Sequence, residues 1–193
     1  MNAIPLYWII SLFVMLCILL GIGGKINGRW LGILIDSRKK MSLSRLQLVV
    51  WSWLIISSFF AIGIANHSMN IELTPQVWAL LGISIGSAAG AIAIKGKKQA
   101  QKLLDSKDKI AEANLSDMFK GEEETDHKYV DMTKTQMFFF SLAAFFGYAW
   151  ALWYADLSVK VGIIKFPELS PSMVTIIGIS HAGYLAGKAV IKS

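Results

Sequence analysis

The chain has 193 residues, of which 54% are hydrophobic and 17% are charged, and its formal net charge at pH 7 is +6. Soluble globular domains carry about a quarter charged residues, so this composition excludes an ordinary soluble domain, and it is too apolar for a disordered chain. The single cysteine, Cys17, excludes an intrachain disulfide. The class that remains is a multi-pass membrane protein.

Five apolar windows are long enough to cross a membrane, which takes about 20 residues in an α-helix. In chain order they are 5–24, 46–65, 75–94, 136–156 and 171–190. We therefore predict an all-α fold, a membrane helix bundle with five transmembrane helices. The predicted regions are an N-terminal helix with a basic linker (1–45), a first hairpin (46–94), a cytoplasmic amphipathic segment (95–134) and a second hairpin (135–193).

The basic residues predict the orientation of these helices. With five spans, 17 of the 19 Lys and Arg residues fall on one side, and only Lys160 and Lys165 fall on the other. Because basic loops stay in the cytoplasm, we expect the N-terminus outside and the C-terminus inside. Tryptophans favour membrane boundaries, and four of them lie near the predicted ones: Trp8, Trp30, Trp78 and Trp153.

The two hairpins resemble each other in sequence. The matching blocks are Ser44-Arg45-Leu46-Gln47 with Thr133-Lys134-Thr135-Gln136, Thr74-Pro75 with Ser170-Pro171, and Gly82-Ile83-Ser84 with Gly178-Ile179-Ser180. The first block predicts a capping box and the second an N-cap followed by proline, so each pair marks a helix start. The offset grows from 89 to 96 residues, which places seven extra residues around 157–165 in the second hairpin.

Small residues and one histidine lie within the hairpins. Six glycines are predicted to let helix backbones approach closely, within one protomer or between protomers: Gly82, Gly86, Gly90, Gly178, Gly183 and Gly187. The alternative is a narrow pore lined by this small face with Ser84, Ser87 and Ser180. His181 is either a hydrogen-bonded structural residue or a gate that responds to pH.

The segment 95–134 holds nine basic and nine acidic residues, so it is locally neutral and does not predict nucleic-acid binding. Apolar residues between 103 and 119 fall near helical spacing and predict an amphipathic helix. That helix either packs on its own bundle or binds a cytoplasmic partner. The predicted partner-binding residues are Leu104, Ile110, Leu115, Phe119, Glu122, Glu123 and Glu124.

The linker after the first span is basic and is expected to meet anionic headgroups. The predicted lipid-binding residues are Arg38, Lys39, Lys40 and Arg45, and Asp36 is placed to pair with Arg38. The stretch 21–25 is rich in glycine but lacks the strand before it and the Ser or Thr after Lys25 that a phosphate loop needs, so we attribute it to composition.

No catalytic, cofactor or metal constellation is recognisable, and we expect no enzyme. The duplicated Ser/Thr-Arg/Lys-x-Gln and Gly-Ile-Ser hairpins resemble those of small bacterial membrane proteins, and the size and plan are similar to the membrane subunit of the Kiwa anti-phage system. That resemblance implies an oligomeric component of the bacterial inner membrane that recruits a cytoplasmic effector. The two hypotheses are therefore a homo-oligomeric scaffold or sensor with a cytoplasmic partner, and a homo-oligomeric ion channel or pore-forming effector.

Overall fold

The computed structural model describes residues 4–155, 157 and 163–191. The described chain is mostly helical, with five α-helices: α1 Ile4–Asn27, α2 Leu43–Asn66, α3 Pro75–Ala100, α4 Met132–Tyr154 and α5 Pro171–Ala189. Two short strands, β1 Ile71–Glu72 and β2 Ile164–Lys165, pair in parallel and are a small departure from the predicted all-α fold. Of the predicted insertion, residues 158–162 lie outside the described residues, and so do Asp156 and Lys192.

Four of the helices, α1 to α4, are long and apolar enough to cross a membrane. The prediction of five spans is not confirmed, because α5 is not among them. α5 has 19 residues and measures about 28 Å at 1.5 Å per residue. It also carries His181, Tyr184 and Lys188 on a buried face, so polar groups that lower its hydropathy are enclosed by the neighbouring helices.

Four helices close a ring. α2 packs against α3 and α4, and α5 packs against the same two helices, while α1 lies outside the ring against α2. The middle of the ring is an apolar core that includes Trp51, Leu54, Leu80 and Ile177, each 1% exposed or less. The hairpin α2–α3 and the hairpin α4–α5 thus occupy equivalent places, in agreement with the sequence repeat.

The predicted starts of α3 and α5 are correct, whereas the capping boxes predicted at the starts of α2 and α4 are wrong. Thr74 and Ser170 are the N-caps of α3 and α5, and the Ser170 hydroxyl accepts from the Met173 amide at 3.1 Å. The capping boxes at Ser44 and Thr133 are not formed, because α2 and α4 begin earlier. A carboxylate at the residue before α4 accepts from two of its first amides and takes the predicted role of the threonine.

Residues 28–42 and 101–131 fold together over one end of the ring, and we call them the end domain and this end the charged end. The amphipathic helix predicted for 103–119 is wrong: this stretch contains only two short 3-10 helices, Ile110–Glu112 and Leu115–Met118. Some of its apolar side chains pack instead on the ring, where Ala113 and Met118 join Met137 and Tyr184 in a second core.

Three of the four boundary tryptophans are exposed, as expected for rings at a membrane surface: Trp30 is 76% exposed, Trp78 61% and Trp153 44%. Trp8 also lies near a boundary, the start of α1, but it is not exposed. It is buried in the first core and its ring lies 5.8 Å from that of Trp153, so α1 uses it to pack against the ring.

Candidate functional site

The carboxylate of Glu122, in the end domain, lies among four basic side chains from separate parts of the chain. Lys134 Nζ at the start of α4 is 3.1 Å from Glu122 Oε1, and Arg38 Nη2 of the linker is 3.5 Å from the same oxygen. Lys95 Nζ on α3 lies 4.0 Å away, and Lys188 on α5 is paired with Oε2. One acidic side chain therefore contacts the linker and three helices of the ring.

Asp36 joins two of these cations to each other. Its Oδ2 accepts from Arg38 Nη2 at 2.8 Å and from Lys95 Nζ at 2.7 Å. Each of the six side chains is at most 13% exposed. We call them the ion cluster; its members are Asp36, Arg38, Lys95, Glu122, Lys134 and Lys188. Four cations share two carboxylates, so the removal of either carboxylate leaves buried charge unpaired, which is costly.

Local backbone geometry places the two carboxylates. Asp36 begins a tight turn in which its Oδ1 accepts from the Arg38 amide at 3.0 Å, and its own amide donates to the Lys40 carbonyl at 2.9 Å. Lys39 in this turn has a φ of 59°. Glu122 precedes a second turn, in which the Glu123 amide donates to Asp126 Oδ1 at 2.9 Å. Hydrogen bonds in these two turns thus fix the backbone at both carboxylates.

Further contacts fasten the end domain around the ion cluster. Lys98 Nζ is 2.5 Å from Glu123 Oε1 and donates to the Val190 carbonyl at 2.7 Å, which connects α3, the end domain and the residue after α5. Lys40 pairs with Asp105. Arg29 Nη1 donates to three carbonyls between 110 and 113.

The electrostatic balance lowers the pKa of both carboxyl groups. Burial alone would raise the pKa of Asp36, but Lys95 and Arg38 outweigh it and lower that pKa from 3.8 to about 2. Burial opposes ionisation of Glu122 as well, yet the four surrounding cations, led by Lys188, hold its pKa well below the usual 4.5. Both groups are therefore carboxylates throughout the physiological pH range.

The part of the ion cluster around Glu122 has no room for a metabolite. The cavity beside Glu122, Lys134 and Lys188 measures 10 Å³, which is about the space of one water molecule. In the described part of the chain, no three His, Cys, Asp or Glu side chains are placed to hold a metal ion. The ion cluster therefore joins the ends of three helices through ion pairs.

The structure separates the predicted partner-binding residues into two groups. Glu123 is 3% exposed and Glu122 belongs to the ion cluster, so neither is available to a partner, which corrects the prediction for both. Leu104, Ile110 and Phe119 are half-buried, and the last two pack against the second core. Leu115, which is 58% exposed, and Glu124 remain on the surface.

The predicted lipid-binding residues divide into two that are buried and two that are half-buried. Arg38 is 4% exposed and Lys40 6%, so both are corrections: their charges are paired inside the protein and not presented to headgroups. Lys39 is half-buried and donates to the Asp108 carbonyl at 2.5 Å. Arg45 is half-buried and donates to the Ile35 carbonyl at 2.8 Å. The predicted pair of Asp36 with Arg38 is present.

Three of the six predicted packing glycines lie at helix contacts. A Cβ added at Gly90 would meet Leu185 at 3.1 Å, at Gly187 it would meet Thr133 at 3.3 Å, and at Gly178 it would meet Ile83 at 3.6 Å. A Cβ at Gly82, Gly86 or Gly183 would meet no described atom within 4 Å. These last three do not serve packing within the chain, and their role between protomers stays a prediction.

His181 lies inside the ring and is 3% exposed. Its Nε2 is 3.5 Å from the Ser141 hydroxyl, which also accepts from Gln47 Nε2 at 2.8 Å. Polar groups of α2, α4 and α5 thus meet in the core, and Gln47 makes this contact in place of the predicted capping box. The arrangement favours the structural interpretation of His181, and the gate stays a prediction.

Sequence reasoning missed a close approach between the end of α1 and the linker. A Cβ on Gly23 would lie 2.8 Å from the Ile33 amide nitrogen and 2.9 Å from the Trp30 carbonyl oxygen, and one on Gly32 would collide with the Gly23 carbonyl. Both neighbours are backbone and cannot move aside. The glycine-rich stretch at 21–25 was the available signal, and the comparison with a phosphate loop did not use it.

The acid response of the ion cluster can be measured. A carboxyl group whose pKa is lower in the folded state stabilises the fold above its unfolded pKa, and this contribution is lost as the pH falls through the folded pKa. We expect the melting temperature in detergent to stay level from pH 7 to 5 and to fall between about pH 4 and 2. Asp36→Asn should lose about 2 kcal/mol at pH 7 and show a smaller acid-dependent fall. An equal fall in both proteins would contradict the assignment to Asp36.

No protein-family model and no curated protein matches the sequence, and no solved structure matches the fold.

Proposed function

We propose that this chain is a non-enzymatic scaffold or sensor of the bacterial inner membrane that forms homo-oligomers and recruits a cytoplasmic protein partner. In this proposal α5 is a fifth crossing, the N-terminus is outside, and the end domain and C-terminus are in the cytoplasm. The position of most basic residues at the charged end supports that orientation. The resemblance in plan to the membrane subunit of the Kiwa system supports a role in anti-phage defence.

The observation that carries the proposal is the attachment of the end domain to the ring through Glu122. This side chain pairs with cations of α3, α4 and α5 at once. A displacement of any of these helix ends changes the pairing of a buried carboxylate, so helix position and end-domain position are coupled. Such coupling is what a membrane sensor with a cytoplasmic output requires.

The surface that remains for a partner is smaller than the sequence predicted. Leu115 begins a short 3-10 helix, where Asn114 and Asp117 form a capping box. Asp117 is in turn paired with Lys107 at 2.7 Å. Of the predicted apolar partner-binding residues, Leu115 is the one that stays exposed, so the proposal places the partner contact there.

Leu115→Glu should reduce recovery of the cytoplasmic partner about tenfold, because it replaces an apolar contact with a charge. The full chain would be purified from native membranes in mild detergent, with the partner quantified by mass spectrometry. Gln101→Glu is the matched control, since it adds the same charge to an exposed position of the end domain. Equal recovery with Leu115→Glu, or equal loss with both variants, would overturn the partner surface.

One observation favours the channel alternative. Seven polar atoms buried on the helices of the described ring have no hydrogen-bond partner: the hydroxyls of Ser57, Ser84, Ser87 and Ser180, Oε1 of Gln47 and of Gln76, and Nδ1 of His181. Unpartnered polar atoms in a membrane core can mark a hydrated path. Under this alternative the purified chain alone would conduct ions in liposomes, and Leu115→Glu would leave that current unchanged.

A further inference from the structure

We propose that the groove between α2 and α3 at the charged end binds one anionic phospholipid, with its phosphate at Arg45 and an acyl chain along the two helices. The groove has a volume of 610 Å³, within the range of about 300–1,000 Å³ that small-molecule sites occupy. It is separate from the cavity of the ion cluster, which holds about one water.

The lining changes from polar to apolar in the same direction on both helices. From the charged end inward, α2 and the residue before it contribute Ser42, Ser44 and Arg45, followed by Leu48 and Val49. Over the same depth α3 contributes Gln99 and Lys95, followed by Ile92 and Ala88. Both helices are long and apolar enough to cross a membrane. The polar half of the groove therefore lies at headgroup depth and the apolar half at acyl-chain depth.

Arg45 supplies charge for the phosphate. One of its guanidinium nitrogens, Nη1, donates to the carbonyls of Ile33 and Ile35, at 3.5 and 2.8 Å. Among the described residues no carboxylate lies within ion-pair distance of Arg45, unlike Arg38, Lys40 and the other cations of the ion cluster. A planar guanidinium with free donors matches phosphate oxygens.

The sequence repeat shows that the groove lacks a carboxylate partner for Arg45. Arg45 corresponds to Lys134, and Ile92 corresponds to Lys188, at the offsets of 89 and 96 residues that relate the two hairpins. Between α4 and α5 these positions face the carboxylate of Glu122. Between α2 and α3 the carboxylate among the described lining residues is that of Asp36, which pairs with Lys95 and not with Arg45. A lipid phosphate would take the place there that Glu122 takes in the other hairpin.

The groove also touches the ion cluster, because Asp36 and Lys95 line its polar half and pair with each other at 2.7 Å. A bound phosphate would lie beside this pair. Lipid occupancy would then bias the attachment of the end domain, which is the input that a sensor needs; this coupling depends on the function proposed above, whereas lipid binding does not.

The test is lipid retention by the purified full chain, measured by native mass spectrometry in detergent with added phosphatidylglycerol or phosphatidylcholine. We expect one phosphatidylglycerol per chain in preference to phosphatidylcholine, and about tenfold weaker retention with Arg45→Gln. Lys25→Gln is the control, because it removes an exposed charge at the end of α1 that does not line the groove. If Arg45→Gln unfolds, Ile92→Trp gives a second test, since it fills the apolar half from an exposed position.

Competition experiments distinguish a lipid phosphate from a soluble phosphate as the ligand of the groove. Inorganic phosphate and glycerol 3-phosphate should not displace the lipid, because they cannot fill the apolar half; displacement would assign the groove to a soluble anion and overturn the proposal. Unchanged phosphatidylglycerol retention in folded Arg45→Gln or Ile92→Trp would also overturn it. Lipid retention is measured without the cytoplasmic partner, so loss of partner binding leaves this result unaffected.

Discussion

Glu122→Gln should detach the end domain from the helix ring. The substitution keeps the size of the side chain but leaves four cations, Arg38, Lys95, Lys134 and Lys188, with one carboxylate between them. The loss of one partner from a buried ion pair costs about 3–5 kcal/mol, and in a chain of this size that corresponds to about a 10 °C fall in melting temperature. Glu124→Gln, two residues away on an exposed side chain, should change neither quantity measurably.

Limited trypsin digestion in detergent would localise the effect. Several exposed lysines lie in the end domain, among them Lys102, Lys109 and Lys128. They should be cut faster in Glu122→Gln than in the parent chain or in Glu124→Gln, while the ring stays intact. If Glu122→Gln melts and digests like Glu124→Gln, the ion cluster does not hold the end domain and the proposed coupling fails.

Gly23→Ala should destabilise the protein, although alanine is the better helix former. The added methyl would lie 2.8 Å from Ile33 N and 2.9 Å from Trp30 O. Since both atoms are backbone, the end of α1 and the linker must separate. Overpacking of this kind costs about 1–3 kcal/mol, and the linker that moves is the one that carries Arg29 and Arg38.

The neighbouring glycine provides a control of opposite sign. A Cβ on Gly24 meets no described atom within 4 Å, so Gly24→Ala should stabilise α1 by up to about 1 kcal/mol through helix propensity. The two variants differ by one position and add the same methyl group. The melting temperatures of the two variants are compared in the same detergent. If Gly23→Ala is as stable as Gly24→Ala, the contact between α1 and the linker is not tight.

The predictable part of this fold was the part that depends on local sequence. Length and apolarity identify α1 to α4, and an N-cap before proline places the starts of α3 and α5 at Thr74 and Ser170. The repeat correctly suggested two equivalent hairpins. The helix α5 was also predicted, but its membrane crossing is not confirmed, because its buried polar face lowers its hydropathy.

Of the ion cluster only the local pair of Asp36 with Arg38 could be predicted, because the other members are distant in sequence and follow no period. Glu122 stands in a run of three glutamates that resembles a solvent-exposed turn, and only the fold shows that it and Glu123 are buried while Glu124 is not. In the sequence, Lys134 and Lys188 indicate only orientation. They do lie at the charged end, but a count of charges does not indicate that they are paired inside the protein.

The short parallel pairing of β1 with β2 has a mechanical consequence. It joins the two hairpins at the end opposite the charged end, with Ile71 beside Ile164 and Glu72 beside Lys165, while Glu122 joins them at the charged end. Because the two hairpins are joined at both ends, they cannot separate by opening at one end. The motion left to them is shear, in which packed helices slide or twist by small amounts about the long axis of the ring.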